Sequence, residues 1–287
     1  MQIIKKNNLF YLKHSFRKYG KVKTKQKYLG KDVPKNIEQV KEELFRECLQ
    51  EELFKKLKDI QKNFKKEWKN YPESIKKKIL LDLAINFTYN TNAIEGSTIS
   101  FEETQELVKH KIAPNKPLSE VQETVSHIDT FFAALQSKSL ITTRLLCEWN
   151  KGLFFQTKSD IAGLLREYHV RVADYIAPDW QDVKKMMKNF THWIEQNQKI
   201  MQPVEFAARA HYKFEKIHPF GDGNGRVGRL IIAKILKQSK YPILTINYKN
   251  RQSYYKALQK DENKFVQYFL RRYISQFKRH LNKQTKE

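Results

Sequence analysis

The chain has 287 residues, 40 % hydrophobic and 13 % aromatic, which is apolar surface enough for a buried core and excludes a disordered polymer. Its 55 Lys and Arg outnumber 31 Asp and Glu by 24, so the charge first suggests an acidic partner. No apolar run approaches the roughly 20 residues of a membrane span. The opening MQIIKKNNLF lacks an export signal's hydrophobic core, and Cys48 and Cys147 are too isolated for a disulfide framework, so no membrane is expected and a cytoplasmic setting is.

Residues 1–31 hold nine Lys and Arg17 without one acidic residue. Within them, 9–29 alternate apolar or aromatic with basic side chains, which predicts two or three short antiparallel strands turning near Tyr19-Gly20 and ending at Gly30. Such a segment suits DNA or RNA, through backbone contact and base stacking, or is simply a small docked sheet with a solvated face. Elsewhere, over 31–78, lysines alternate with acids as on solvated helices.

Ile37, Val40, Leu44 and Cys48, then Leu53, Leu57, Ile60, Phe64 and Trp68, recur at helical spacing and predict one long helix or a broken pair, closed by Pro72. A further helix runs over 74–93 toward Gly96. Ser100-x-x-Glu103 fits a capping box opening a helix over 101–111. Helices follow over 119–136, 142–155 and 180–196, the last capped by Asp179. Between them HVRVADYIAP, 169–178, reads as a short strand or hairpin.

The chemistry lies beyond Pro203, which can open a helix placing Ala207, His211, Phe214 and His218 near one face. That helix ends in His-Pro-Phe. Three glycines in five residues follow, Gly221-Asp222-Gly223-Asn224-Gly225, and then an apolar helical run beginning Arg226-Val227-Gly228-Arg229. A glycine loop opening a helix is an anion site, because main-chain N–H groups and the positive helix end can face a phosphate. Arg226 and Arg229 can point back at the bound group, Asp222 suits a hydrated Mg²⁺, and His218 is a titratable base.

Other readings of these residues are weaker. Gly223-x-Gly225-x-x-Gly228 matches a dinucleotide fingerprint but follows a helix and has Asn247 where the acid belongs. No Gly-Lys-Ser/Thr is present for a Walker loop. A zinc site from His211 and His218 lacks a third ligand. A glycine-rich connector beside a core histidine is the bland alternative.

Residues 218–229, HPFGDGNGRVGR, resemble the Fic signature H-x-F-x-[DE]-G-N-G-R-x-x-R at all eight specified positions. The resemblance extends over about 86–275, including Ala162-Gly163-x-x-Arg166 and Arg251-x-x-Tyr254. It implies a mainly α fold, a Fic-type helical bundle with a short β-hairpin flap, preceded by the small basic β segment. The organisation expected is a β-rich module at 1–31, linking helices at 32–85, the Fic domain at 86–275 and a basic tail at 276–287.

The resemblance also implies protein adenylyltransfer, the movement of AMP from ATP to a Ser, Thr or Tyr hydroxyl of a protein target, itself included. His218 would be the general base and Asp222 the Mg²⁺ ligand. Gly223, Asn224 and Gly225 would form the anion pocket, with Arg226 and Arg229 on the outer phosphates and Tyr254 beside the nucleotide. Phe220 would anchor the core. Val170, Arg171 and Val172 would form the flap that receives the target segment as an added strand.

Thr91-Asn92-Ala93-Ile94-Glu95-Gly96 is similar to the family's inhibitory motif [ST]-x-x-x-E-[GN]; alone it reads as an ordinary helix end. Beside an intact signature it implies a brake, with Glu95 competing for Arg229. In related enzymes the same glutamate supports removal of AMP. The family also includes homodimers and transfer of UMP, phosphocholine or phosphate. The rival function is a nucleic-acid-binding regulator working through 1–31, with the Fic core as a sensor.

Overall fold

The computed structural model, which describes residues 1–18, 21–172 and 175–281, opens on a hairpin whose turn residues, Asn7 and Asn8, both lie in the left-handed region (φ 47° and 59°). Two-residue turns of that kind match the twist of antiparallel strands, and Asn tolerates the conformation. Strands β1 (Gln2–Lys6), β2 (Leu9–Lys18) and β3 (Lys21–Gly30) form one antiparallel sheet in that order. The strands are longer than the sequence predicts, and β1 lies outside the predicted segment. The turn expected at Tyr19-Gly20 falls outside the described residues.

Helix α1 (Ile37–Leu49) covers the sheet, with Leu12 and Phe16 of β2 buried against Leu44 and Cys48. Register places Lys23, Lys25 and Lys27 of β3 opposite Phe16, His14 and Leu12, hence on the helix-facing side. Lys25 pairs with Glu47 (2.7 Å) and Glu51 (3.1 Å), and Lys27 with Glu43 (2.8 Å). The outer face instead carries the Tyr11–Tyr28 ring pair and a Ser15–Thr24 hydroxyl bond. The lysine run that suggested a nucleic-acid surface is therefore, in part, a charged seam between sheet and helix.

A five-residue π-helical stretch, Gln50–Phe54, joins α1 to α2 (Lys55–Asn70). The apolar pattern contains its cause. Cys48 and Leu53 are five apart, one more than an α-helical face allows, and the wider turn restores Leu53, Leu57 and Ile60 to the buried side. Residues 1–63 and those from 270 on form one compact unit, and 64–269 form the other.

The second unit contains α3 (Glu73–Ile94), α4 (Phe101–His110), α5 (Leu118–Gln136), α6 (Thr143–Phe154), the two-residue strands β4 (Arg171–Val172) and β5 (Tyr175–Ile176), α7 (Trp180–Asn197), α8 (Pro203–Ile217), α9 (Asn224–Gln238) and α10 (Arg251–Leu258); α11 (Glu262–Gln276) begins within it. The Ser100–Glu103 capping box forms with both reciprocal bonds, and Asp179 caps α7. Helix α9 is buried almost throughout, as its all-round apolar sequence requires, and packs on α8, α5, α3 and α6. Lys234, buried in it, donates to the Ser137 carbonyl at the end of α5 (2.6 Å). The fold is thus mainly helical with a small N-terminal antiparallel sheet. The start of its innermost helix is the glycine loop.

Candidate active site

Helix α8 ends because His218 takes a left-handed conformation (φ 51°) and Pro219 cannot continue the ladder. Phe220 then plunges into the core against Phe214 and carries the loop with it. Asn224 closes the turn. Its Oδ1 accepts from the Phe220 N–H (2.9 Å) and its Nδ2 donates to the Phe220 carbonyl (2.8 Å). One hydrogen of the Asn224 amide and one lone pair of its oxygen are thus engaged by the loop itself. Gly223 precedes α9 with φ 78°, and a Cβ there would collide with the Phe154 ring.

The first N–H groups of α9 have no intrahelical acceptors and mark a positive helix end. Beside it a cavity of about 490 Å³ is lined by Glu95, Glu123, Lys158, Asp222 and Arg226 among others. Each charged group the sequence assigned to phosphate or metal already has a partner. Asp222 Oδ2 accepts from Lys158 (2.6 Å), which also pairs with Glu123 (3.2 Å). Arg226 pairs with Glu123 and lies over the Phe154 ring (4.6 Å). Arg229, only 2 % exposed, pairs with Glu95 and reaches the Thr91 carbonyl (3.4 Å). Burial acts to raise the Asp222 carboxyl, but the Lys158 bond and the Arg226 charge outweigh it and hold the group below its ordinary range.

Glu95 is the C-cap of α3, and Gly96 follows with φ 99°. Tyr255 donates to the Ile94 carbonyl (2.9 Å), and Glu120 accepts from the N–H of Thr98 (2.7 Å) and the hydroxyl of Ser97 (2.9 Å). Both sides of Glu95 are therefore pinned. Gly225 supplies the room: a Cβ there would strike the Glu95 carboxylate and stand about 3 Å from the Arg229 guanidinium.

Burial is the chief influence on the His218 ring and lowers its pKa, against the Glu215 carbonyl and the charges of Glu95 and Asp222. A neutral imidazole is a proton acceptor near neutral pH. Tyr254, expected beside a nucleotide, is 2 % exposed, with its hydroxyl on His211 Nε2 (2.6 Å) and the Arg229 guanidinium. It supports Arg229 from within the core.

The strands β4 and β5 pair Arg171 with Ile176 and Val172 with Tyr175, and Ala177 donates to the Val170 carbonyl (3.1 Å). Buried Arg166 ties this hairpin to the loop. It donates to the carbonyls of His218 (2.8 Å), Tyr168 (2.9 Å) and Pro178 (2.6 Å). Arg166→Ala is expected to leave three part-buried carbonyls without this donor and lower stability by about 1–3 kcal/mol, read by denaturant unfolding. A loss under about 0.5 kcal/mol contradicts this clamp.

Sequence reading missed Lys158, Glu123 and Asn150. Asn150 donates to the Asp222 carbonyl (2.9 Å) and accepts from the Gly163 N–H (2.8 Å), joining α6 to the loop. Glu123 and Asn150 lie on earlier helices and Lys158 in the turn after α6, and no local pattern there gives a sign of the loop they meet.

Residues 140–236 match the family model described as Fic/DOC. The chain is 30 % identical over 203 residues to a protein adenylyltransferase Fic of Nematostella vectensis, covering 68 % of this chain and 47 % of that protein. It is 32 % identical over 181 residues to a protein of the same name in Culex quinquefasciatus, covering 61 % and 36 %. It thus spans about half or less of the curated relatives it matches. The fold resembles that of a Fic domain containing signaling protein from Bacteroides thetaiotaomicron, with TM-score 0.69 at 23 % identity, covering 78 % of this chain and 96 % of that one.

Proposed function

The chain belongs to the Fic/DOC family through the domain at residues 140–236, and we propose that it is a nucleotidyltransferase moving AMP from ATP to a hydroxyl of a protein. One observation carries the reading: Asp222 and Arg226 face a single cavity at the positive end of α9, in the same short loop as the part-buried imidazole of His218. A triphosphate needs cations and N–H donors, and an attacking alcohol needs a base; this loop supplies both. The activity named for the Nematostella and Culex proteins points the same way.

In this reading ATP enters the cavity and its phosphates take Arg226 from Glu123. The N–H groups at the start of α9 orient the α-phosphate. His218 Nε2 accepts the proton of the target hydroxyl as its oxygen attacks, and pyrophosphate leaves. The hairpin of β4 and β5, tied to the loop by Arg166, is where an extended target segment lies.

The residues fit a magnesium ion. Asp222 already holds a cation, the Lys158 ammonium, and one carboxylate beside phosphate oxygens and waters is the donor set Mg²⁺ favours. When bound, the ion neutralises phosphate charge. Asp222→Asn is expected to reduce transfer at least about tenfold and to raise the Mg²⁺ concentration needed for half-maximal rate. An unchanged Mg²⁺ dependence rejects that assignment.

Glu95 acts as a brake in this account. Paired with Arg229, it withholds the guanidinium that the γ-phosphate needs, and ATP then settles out of line with the incoming hydroxyl. The same carboxylate, facing the same loop, is suited to orient water against an AMP-modified target. Loss of AMP from a purified modified target, abolished by Glu95→Gly, tests that reverse reaction; persistence of the release rejects it.

A further inference from the structure

The transfer reading gives His218 a proton and leaves the carboxyl beside it without a task. Glu215 lies on α8, three residues before His218 and four after His211. Its Oε2 stands 4.0 Å from His218 Nδ1, and its Oε1 stands 3.9 Å from His211 Nδ1. Oε1 and His211 Nδ1 are buried without hydrogen-bond partners. Gly228 of α9 closes the site from the other side, since a Cβ there would come within 2.7 Å of Oε1 and 2.8 Å of His211 Nδ1. Burying a carboxyl oxygen without a donor is unfavourable, yet the fold has made room for it.

We propose that Glu215 is a positioning residue for the transfer: its main-chain carbonyl takes the proton of the His218 ring, leaving Nε2 as the free nitrogen, and its carboxylate, 4.0 Å from Nδ1, answers the imidazolium charge that forms. The proton passes from the target hydroxyl to Nε2. The new oxygen–phosphorus bond forms as the bond to pyrophosphate breaks, and Glu215 exchanges no atom with substrate. A negative group on the far nitrogen strengthens an imidazole base in the same way elsewhere in enzyme chemistry. This inference rests on the transferase reading.

The surrounding charges set its pH dependence. Glu215 faces His211, Lys216 and His218 from the α8 segment, Arg229 from α9, Glu95 from the end of α3 and Tyr254 from α10. Burial pushes its carboxyl up to about 7; Arg229 and Lys216 oppose this and Glu95 adds to it. Below that pH the carboxyl is neutral and the supporting charge is absent. Activity therefore falls as pH drops through that region. Replacing Glu95 removes one raising charge, so in Glu95→Gly protein the acidic limb moves below about 7.

In the Glu95→Gly background, Glu215→Gln is expected to lower kcat roughly tenfold, leave KM for ATP within a factor of about two, and move the acidic limb down to where His218 alone titrates. Unchanged kcat with the limb intact overturns the proposal. Failure of Glu95→Gly itself to label is a failure of the transferase reading instead. A second measurement needs neither activity nor a variant: NMR titration of the His218 imidazole in the full chain. A His218 curve with an added step near pH 7 from the neighbouring carboxyl supports the proposal, and a simple one-site curve overturns it.

Discussion

Glu95→Gly is expected to raise self-labelling from α-labelled ATP about a hundredfold, which corresponds to a bias of ~2.7 kcal/mol toward the closed Glu95–Arg229 pair. The magnitude follows from what the pair withholds. Arg229 is buried, and a buried guanidinium has few places to put its charge; Glu95 and the bound phosphate are alternatives. The same logic gives a second readout. Removing Glu95 takes from Arg229 its paired carboxylate, so the variant should melt at a lower temperature than the parent and recover more of its stability when ATP is added. Equal labelling by the two proteins contradicts the brake, whatever their melting points.

His218→Asn should lower labelling in the Glu95→Gly protein by about 10²–10⁴-fold while ATP still binds. Asparagine suits the left-handed backbone that His218 adopts at the end of α8, so the loop keeps its course. Arg226, Arg229 and the start of α9 are untouched, so the affinity for nucleotide should change little in equilibrium titration. Loss of ATP binding along with labelling would show that the histidine shapes the pocket rather than receiving a proton. Retained labelling would move the base elsewhere.

The loop at 218–229 was legible because its residues are consecutive, so glycines, arginines, acid and imidazole could be read as one turn. The capping box at Ser100 and the cap at Asp179 were legible for the same local reason. What escaped was long-range pairing. Lys158 meets Asp222 across 64 residues and Glu123 meets Arg226 across 103, and no periodicity reports such distances. The partners of Tyr254 and Asn224 were equally hidden: the Tyr254 hydroxyl meets His211 and the Asn224 amide meets Phe220. The lysines of β3 misled for another reason: composition counts charge without its direction, and register turns Lys25 and Lys27 toward acids on the adjoining helical segment.

The ion pairs also bear on how the site works. In this structure the charged residues proposed for phosphate and metal are each neutralised by the chain itself, Asp222 by Lys158, Arg226 by Glu123 and Arg229 by Glu95. The Glu95 pair joins the loop to the end of α3, where hydrogen bonds at Ile94 and Thr98 hold the chain on both sides.

The most direct test is mass spectrometry of the Glu95→Gly protein after incubation with Mg²⁺ and each nucleoside triphosphate separately. The account predicts an adduct of AMP mass from ATP, on a Ser, Thr or Tyr hydroxyl, that vanishes with His218→Asn. An intact protein carrying no adduct, or one whose adduct forms equally without His218, contradicts it.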